Sequence, residues 1–179
     1  MTTLASYVLA IGGMIAMLGF AIAAFQSNLK YPPAKLMIVN LLRTNPQQAA
    51  HVCASMPKTF FEALGSAIKT ILQMGATTDP AMIYAASKPG FDAGAMMVGT
   101  YWKGLLLKTK MAVGAAGASI ALVMSSRFPP IPVLICSIIA GLAALYVLYR
   151  KHEVDRTLML SRAEILPEIE RLFLEGRYR

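Results

Sequence analysis

The sequence predicts an all-α integral membrane protein, with three transmembrane helices and a helical cytoplasmic region. Three observations predict it. The 179 residues are 56% hydrophobic and only 15% charged, against about 25% charged in ordinary soluble domains. Three long apolar runs occur, around residues 4–25, 105–126 and 131–149, each of a length that crosses a bilayer. No stretch of useful length alternates polar and apolar residues as a half-buried strand would. The predicted order is a first transmembrane helix (1–25), a helical cytoplasmic region (26–104), a transmembrane hairpin (105–149) and a cytoplasmic helical tail (150–179).

Leu4 to Phe25 carries no charge. At 1.5 Å per residue it is long enough to cross a hydrocarbon core of about 30 Å. Ala21-Ile22-Ala23 faintly resembles a signal-peptide cleavage site, but the basic segment of a signal peptide is missing, since only Met-Thr-Thr precedes the run; a retained helix is expected. Gly12, Ala16, Gly19 and Ala23 lie four, three and four residues apart. Such a stripe lets another helix approach closely, although Gly and Ala are also common in membrane helices generally.

The middle region reads as helical pieces punctuated by Pro and Gly. Tyr31-Pro32-Pro33 breaks the chain, and Leu36–Leu42 is a short apolar segment. Asn45-Pro46 has the form of an N-cap followed by Pro in the first turn. Pro57–Met74 is the best amphipathic helix, with Phe60, Phe61, Leu64, Ala67, Ile68, Ile71 and Leu72 at helical spacing and Gly75 as the stop. Asp79-Pro80 repeats the cap signal and opens a helix to about Ser87. Pro89-Gly90 is expected to end it, and a new helix from Phe91 runs toward the membrane.

Met111–Ser126 is too short to span alone. A start near Leu105 restores the length and brings in Lys108 and Lys110, whose amines can snorkel to the headgroups. Arg127-Phe128-Pro129-Pro130 is the turn of the hairpin. Tyr101 and Trp102 then fall at one interface, as do Tyr146 and Tyr149 at the end of the third span, with Tyr31 just beyond the first; an aromatic belt is expected there.

In the tail, Ser161 and Glu164 have capping-box spacing. Ile165, Ile169, Leu172 and Phe173 form an apolar stripe, with Glu168, Glu170, Arg171 and Glu175 on other faces. Pro167 suits a first helical turn. The polar face is not mainly Lys and Arg, so packing on the protein's own cytoplasmic region is expected rather than membrane-surface binding.

The net charge of +8 reads as topology and not as nucleic-acid binding. Residues 26–110 hold nine Lys or Arg and the tail seven, the hairpin turn has only Arg127, and the N-terminus has none. The basic segments belong in the cytoplasm. The chain is thus expected to cross the membrane with its N-terminus outside and its C-terminus in the cytoplasm.

Leu4–Phe25, Met111–Ser126 and Ile131–Tyr149 contain no Asp, Glu, His, Lys or Arg. These spans cannot supply a proton relay from their own side chains. Ser119, Ser125, Ser126 and Ser137 are the polar candidates, and Ser119 and Ser137 are the two singled out to line a central path. A membrane serine more often bonds its own helix backbone or glues helices together. His51-Val52-Cys53 lacks a second pair of ligands for a metal. Cys53 and Cys136 lie in dissimilar surroundings, so no disulfide is expected. No phosphate loop, nucleophile elbow or zinc-protease motif occurs; no catalytic, cofactor or metal residue is assigned and an enzymatic role is not expected.

Gly114 with Ala118, Gly117 with Ala121, Ser137 with Gly141, and Ala140 with Ala144 are each four apart. They offer close-packing faces. Three helices are few for a self-contained bundle, so association with copies of the chain or with another subunit is expected; an internally packed three-helix bundle is the alternative.

The order of elements resembles the ExbB/TolQ branch of the MotA/TolQ/ExbB proteins. Arg43-Thr44-Asn45-Pro46-Gln47-Gln48-Ala49-Ala50-His51-Val52-Cys53 resembles that family's short helix after the first span. Phe60–Thr70 resembles the next helix, and Asp79–Ala86 followed by a long helix into the second span is similar too. The resemblance implies a homo-oligomer, a pentamer, around two helices of a single-span ExbD/TolR/MotB-like partner. It also implies an ion-driven (proton or sodium) stator whose essential aspartate belongs to that partner. The second span here reads GAAGASIA where the family carries a Gly-Thr-Val type stretch, and the third has no Thr. A non-conducting structural or assembly protein is therefore the alternative function.

Overall fold

The computed structural model describes residues 2–75, 79–124 and 131–175. The expected Arg127 turn, Ser125, Ser126 and the last basic residues Arg177 and Arg179 lie outside them. Every element among the described residues is helical. The order is α1 (Thr2–Gln26), α2 (Tyr31–Thr44), α3 (Pro46–Ala54), α4 (Phe60–Gln73), α5 (Pro80–Met124), α6 (Ile131–Leu160), a π-helical turn (Ser161–Ile165) and α7 (Leu166–Leu174). Three helices, within Leu4–Gln26, Pro80–Met124 and Ile131–Leu174, are long and apolar enough to cross a membrane. The chain divides into an apolar unit, residues 1–26 and 103–152, and a second unit, residues 27–102 and 153–179.

In the apolar unit each helix turns a narrow stripe inward. Ala10, Met17 and Ala24 of α1, Ala112, Ala116 and Val123 of α5, and Val133, Ala140 and Val147 of α6 are all buried. Met17 packs with Ala112, Ala116, Ala140, Ala143 and Ala144, while Ala10 packs with Val123 and Val133. The start of α1 thus meets the end of α5 and the start of α6, so α1 runs antiparallel to α5 and parallel to α6. The outer faces stay apolar: Leu4, Val8, Ile15, Ile22 and Phe25 of α1 are 59–72% exposed.

The second unit is built around α4. Phe60, Phe61, Leu64, Ile68 and Ile71 are at most 1% exposed and pack with Ile38 and Leu42 of α2, Cys53 of α3, Ile83 and Phe91 of α5, and Ile165, Ile169 and Leu172 of the tail. Thr59 caps α4 by accepting the Phe61 N–H at 3.3 Å. Asn45 caps α3 by accepting the Gln48 N–H at 3.0 Å, with Pro46 behind it as its sequence predicts.

Several local expectations are corrected. The break expected at Tyr31-Pro32-Pro33 falls just before it, between Gln26 and Tyr31, and the prolines open α2, because proline lacks only an N–H that a first turn leaves free. The best amphipathic helix starts at Phe60 and not Pro57, since Lys58 adopts φ +68° in the preceding turn. Pro89-Gly90 does not end a helix; α5 runs through it. The glycine there serves contact. A Cβ on Gly90 would sit 3.0 Å from the Ala67 Cα, and one on Gly94 would sit 2.6 Å from the Ala63 Cα, so α5 and α4 meet backbone to backbone. Ser161 does not cap a new helix. Its hydroxyl donates to the Leu158 carbonyl at 2.9 Å, and the chain continues through the π turn, which hands over to α7 with Pro167 in its first turn. That placement absorbs the missing proline N–H.

Candidate functional site

Among the glycines of the apolar unit, Gly13 is the one that faces another helix closely. A Cβ there would lie 3.4 Å from the Ala112 carbonyl. The expected packing residues lie elsewhere. Gly12, Gly19, Gly114 and Ala118 are exposed, and Ala16, Ala23 and Gly141 are partly buried. A Cβ on Gly12, Gly19, Gly114 or Gly141 would meet nothing within 4 Å. These four glycines therefore do not pack against another helix of the same chain, and association with a copy or another subunit stays the expectation for their faces. Adjacent residues are about 100° apart on a helix, so choosing Gly12 in place of Gly13 turns the whole stripe off the inner face. Met17 and Ala10 were the overlooked signal, spaced like the glycines but one step round the helix.

The two serines differ. Ser119 is fully buried and donates to the Ala116 carbonyl of its own helix at 2.7 Å. The Ser137 Oγ is shielded from solvent and has no hydrogen-bond partner among the described residues. No other described side chain is brought to either hydroxyl by a hydrogen bond. Thr109, which was not singled out from sequence, is 3% exposed and bonds the Leu105 carbonyl at 2.9 Å.

Two open grooves flank α5. One is formed with α1, by Gly12, Gly13, Ala16 and Phe20, and has Lys108 on its rim. The other is formed with α6, by Leu106, Val113, Gly141, Ala144, Leu145 and Leu148, and has Lys110 on its rim.

Of the expected aromatic belt, Tyr149 is 64% exposed and Tyr146 is partly buried. Trp102 is instead 1% exposed, and its indole N–H donates to the Lys58 carbonyl at 3.2 Å. Tyr101 stacks edge-on against it with centroids 6.0 Å apart, and the Lys58 ammonium sits 4.5 Å from the Tyr101 ring centroid. Trp102 belongs to the second unit's interior, with Tyr101 partly buried beside it.

Carboxylates dock the tail in the second unit. Glu164 accepts from Lys35 at 2.5 Å and from the Tyr31 hydroxyl at 3.3 Å. The Lys35 hydrogen bond holds Glu164 below its ordinary carboxylate pKa despite some desolvation. Desolvation and the Glu164 charge push the Tyr31 phenol up to about 12. Desolvation pushes Glu168 upward, but hydrogen bonds from Arg171 at 2.6 Å and Arg43 at 3.3 Å outweigh it and leave it lowered. Glu170, expected on a polar face, is 6% exposed and accepts the Ser87 hydroxyl. The reason is that α7 is covered on two sides, by α2 and by the Ser87 turn of α5. Burial raises the Cys53 thiol to about 12, and His51 beside it is exposed. Among the described residues no three His, Cys, Asp or Glu side chains gather where a metal ion could be held.

No family model, no curated protein and no solved structure matches the chain.

Proposed function

We propose that the chain is a multi-pass inner-membrane subunit of an ExbB/TolQ-like complex. Copies of it associate laterally and surround helices of a single-span ExbD/TolR/MotB-like partner, coupling ion flow to mechanical work. The observation that supports this best is the set of small residues left uncovered after the three apolar helices have packed. Gly12, Gly19 and Gly114 face open space, and small-residue faces are how helices associate in lipid. The basic excess of the middle and tail supports an inside location for both, with the N-terminus outside. The absence of Asp and Glu from residues 1–26 and 103–152 agrees with a reading in which an ion-carrying carboxylate belongs to the partner.

Native mass spectrometry of the detergent-extracted complex tests the reading. Five copies with two of a single-span protein support it, and a pure monomer overturns it. A second reading, a non-conducting assembly protein, is favoured by the inward bond of Ser119 to Ala116. It expects no loss of function when Ser119→Ala and Ser137→Ala are combined, and an oligomer that forms without the partner.

A further inference from the structure

We propose that the groove between α5 and α6 binds an anionic phospholipid, one acyl chain lying along it and the phosphate meeting Lys110. This rests on the membrane reading above. The groove measures about 500 Å³, within the range of small-ligand sites. Gly141, Ala144, Leu106, Val113, Leu145 and Leu148 supply its apolar lining, and Thr109 and Lys110 its polar lining. A Cβ at Gly141 would touch nothing, so the missing side chain leaves volume that protein does not fill. Leu106 to Val113 spans roughly 10 Å of helix at 1.5 Å per residue, which fits an extended hydrocarbon segment lying along the axis.

The charge at the rim decides the occupant. Lys110 is exposed, and none of the ion pairs or hydrogen bonds among the described residues involves its ammonium. The ranges 1–26 and 103–152 contain no Asp or Glu at all. A second copy of this chain seated on the groove through its own apolar helices would therefore bring no counter-charge to Lys110. An anionic phospholipid brings both the apolar chain and the negative group. An ammonium on a flexible stem is suited to reach a headgroup from an apolar wall.

The test begins with carbonate fractionation of cells making the full chain. Release from the membrane fraction overturns the membrane reading, and this proposal with it. With retention in the membrane, the purified protein is offered equal amounts of phosphatidylglycerol and phosphatidylcholine, and bound lipid is counted by native mass spectrometry. The expected result is preferential retention of phosphatidylglycerol by about fivefold, the scale of one lysine–anionic-lipid contact. Lys110→Gln should abolish the preference, and Gly141→Leu should reduce total retention by filling the groove. Lys103→Gln, outside the groove, should change neither. Equal retention of the two lipids, or unchanged retention in both Lys110→Gln and Gly141→Leu, overturns the lipid site while leaving the membrane reading intact. So does capture of a protein, in place of lipid, by a photo-crosslinker at position 145.

Discussion

Ser87 on α5 donates its hydroxyl to the carboxylate of Glu170 on α7, joining residues 83 apart in sequence inside the second unit. Ser87 is fully buried and Glu170 is 6% exposed. A buried donor whose acceptor is removed keeps its desolvation cost and loses its bond. Glu170→Ala is therefore expected to destabilise the second unit by about 1–3 kcal/mol. Glu175→Ala, at the exposed end of the same helix, should change stability by less than about 0.5 kcal/mol. Denaturant midpoints of the two variants check this; equal midpoints would remove Glu170 from the account of tail docking.

The contact of α4 with α5 depends on two missing side chains. Gly94→Ala is expected to destabilise by about 1–3 kcal/mol, the usual cost of overpacking, because its Cβ would fall 2.6 Å from the Ala63 Cα. Gly99→Ala lies in the same helix with nothing within 4 Å of its Cβ. It should be neutral or stabilise by up to about 1 kcal/mol through helix propensity. A comparison of thermal midpoints decides, and a Gly94→Ala protein as stable as the parent would refute the close approach.

Acid should loosen the tail. Glu164 and Glu168 both have lowered pKa values in the folded protein. Their contribution is fully present above the unfolded glutamate value of about 4.3. It is lost as pH falls through the lower folded values. Denaturation midpoints followed from pH 7 to about pH 2.5 should fall through this window. The fall should be shallower in a Lys35→Ala, Arg43→Ala double variant, which removes the partners that lower the two groups. Tyr31, raised to about 12, works in the opposite sense, and its contribution should fade above the unfolded tyrosine value of about 10.

Trp102 is the single tryptophan, so its fluorescence reports one place. Buried at 1% exposure, it should emit at short wavelength and resist quenching by iodide and by brominated lipid alike. Unfolding should shift its emission to the red and restore quenching by iodide. Strong quenching by brominated lipid in the folded protein would return Trp102 to the aromatic belt.

The elements legible in the sequence were those with a single local cause. An uncharged run from Leu4 to Phe25 has no other economical outcome than a long helix, and the Asn45-Pro46 cap satisfies an orphan N–H wherever it sits. The misreadings share a different cause. Pro89-Gly90, the Ser161–Glu164 pair and Trp102 each carry a strong local signal that a partner distant in sequence overrides. Gly90 answers to Ala67, Glu164 to Lys35, and Trp102 to Lys58. The same applies to the stripe on α1. Gly12 and Gly13 are indistinguishable in sequence, and only the position of Ala112 selects between them.

The apolar unit, with no carboxylate in residues 1–26 or 103–152, has a further property. Neutralisation of Asp and Glu in itself changes none of its charges. All nine acidic residues lie in residues 27–102 and 153–179, and several of them are spent holding the tail. Any change triggered by protonation of a carboxylate of this chain therefore begins in the second unit.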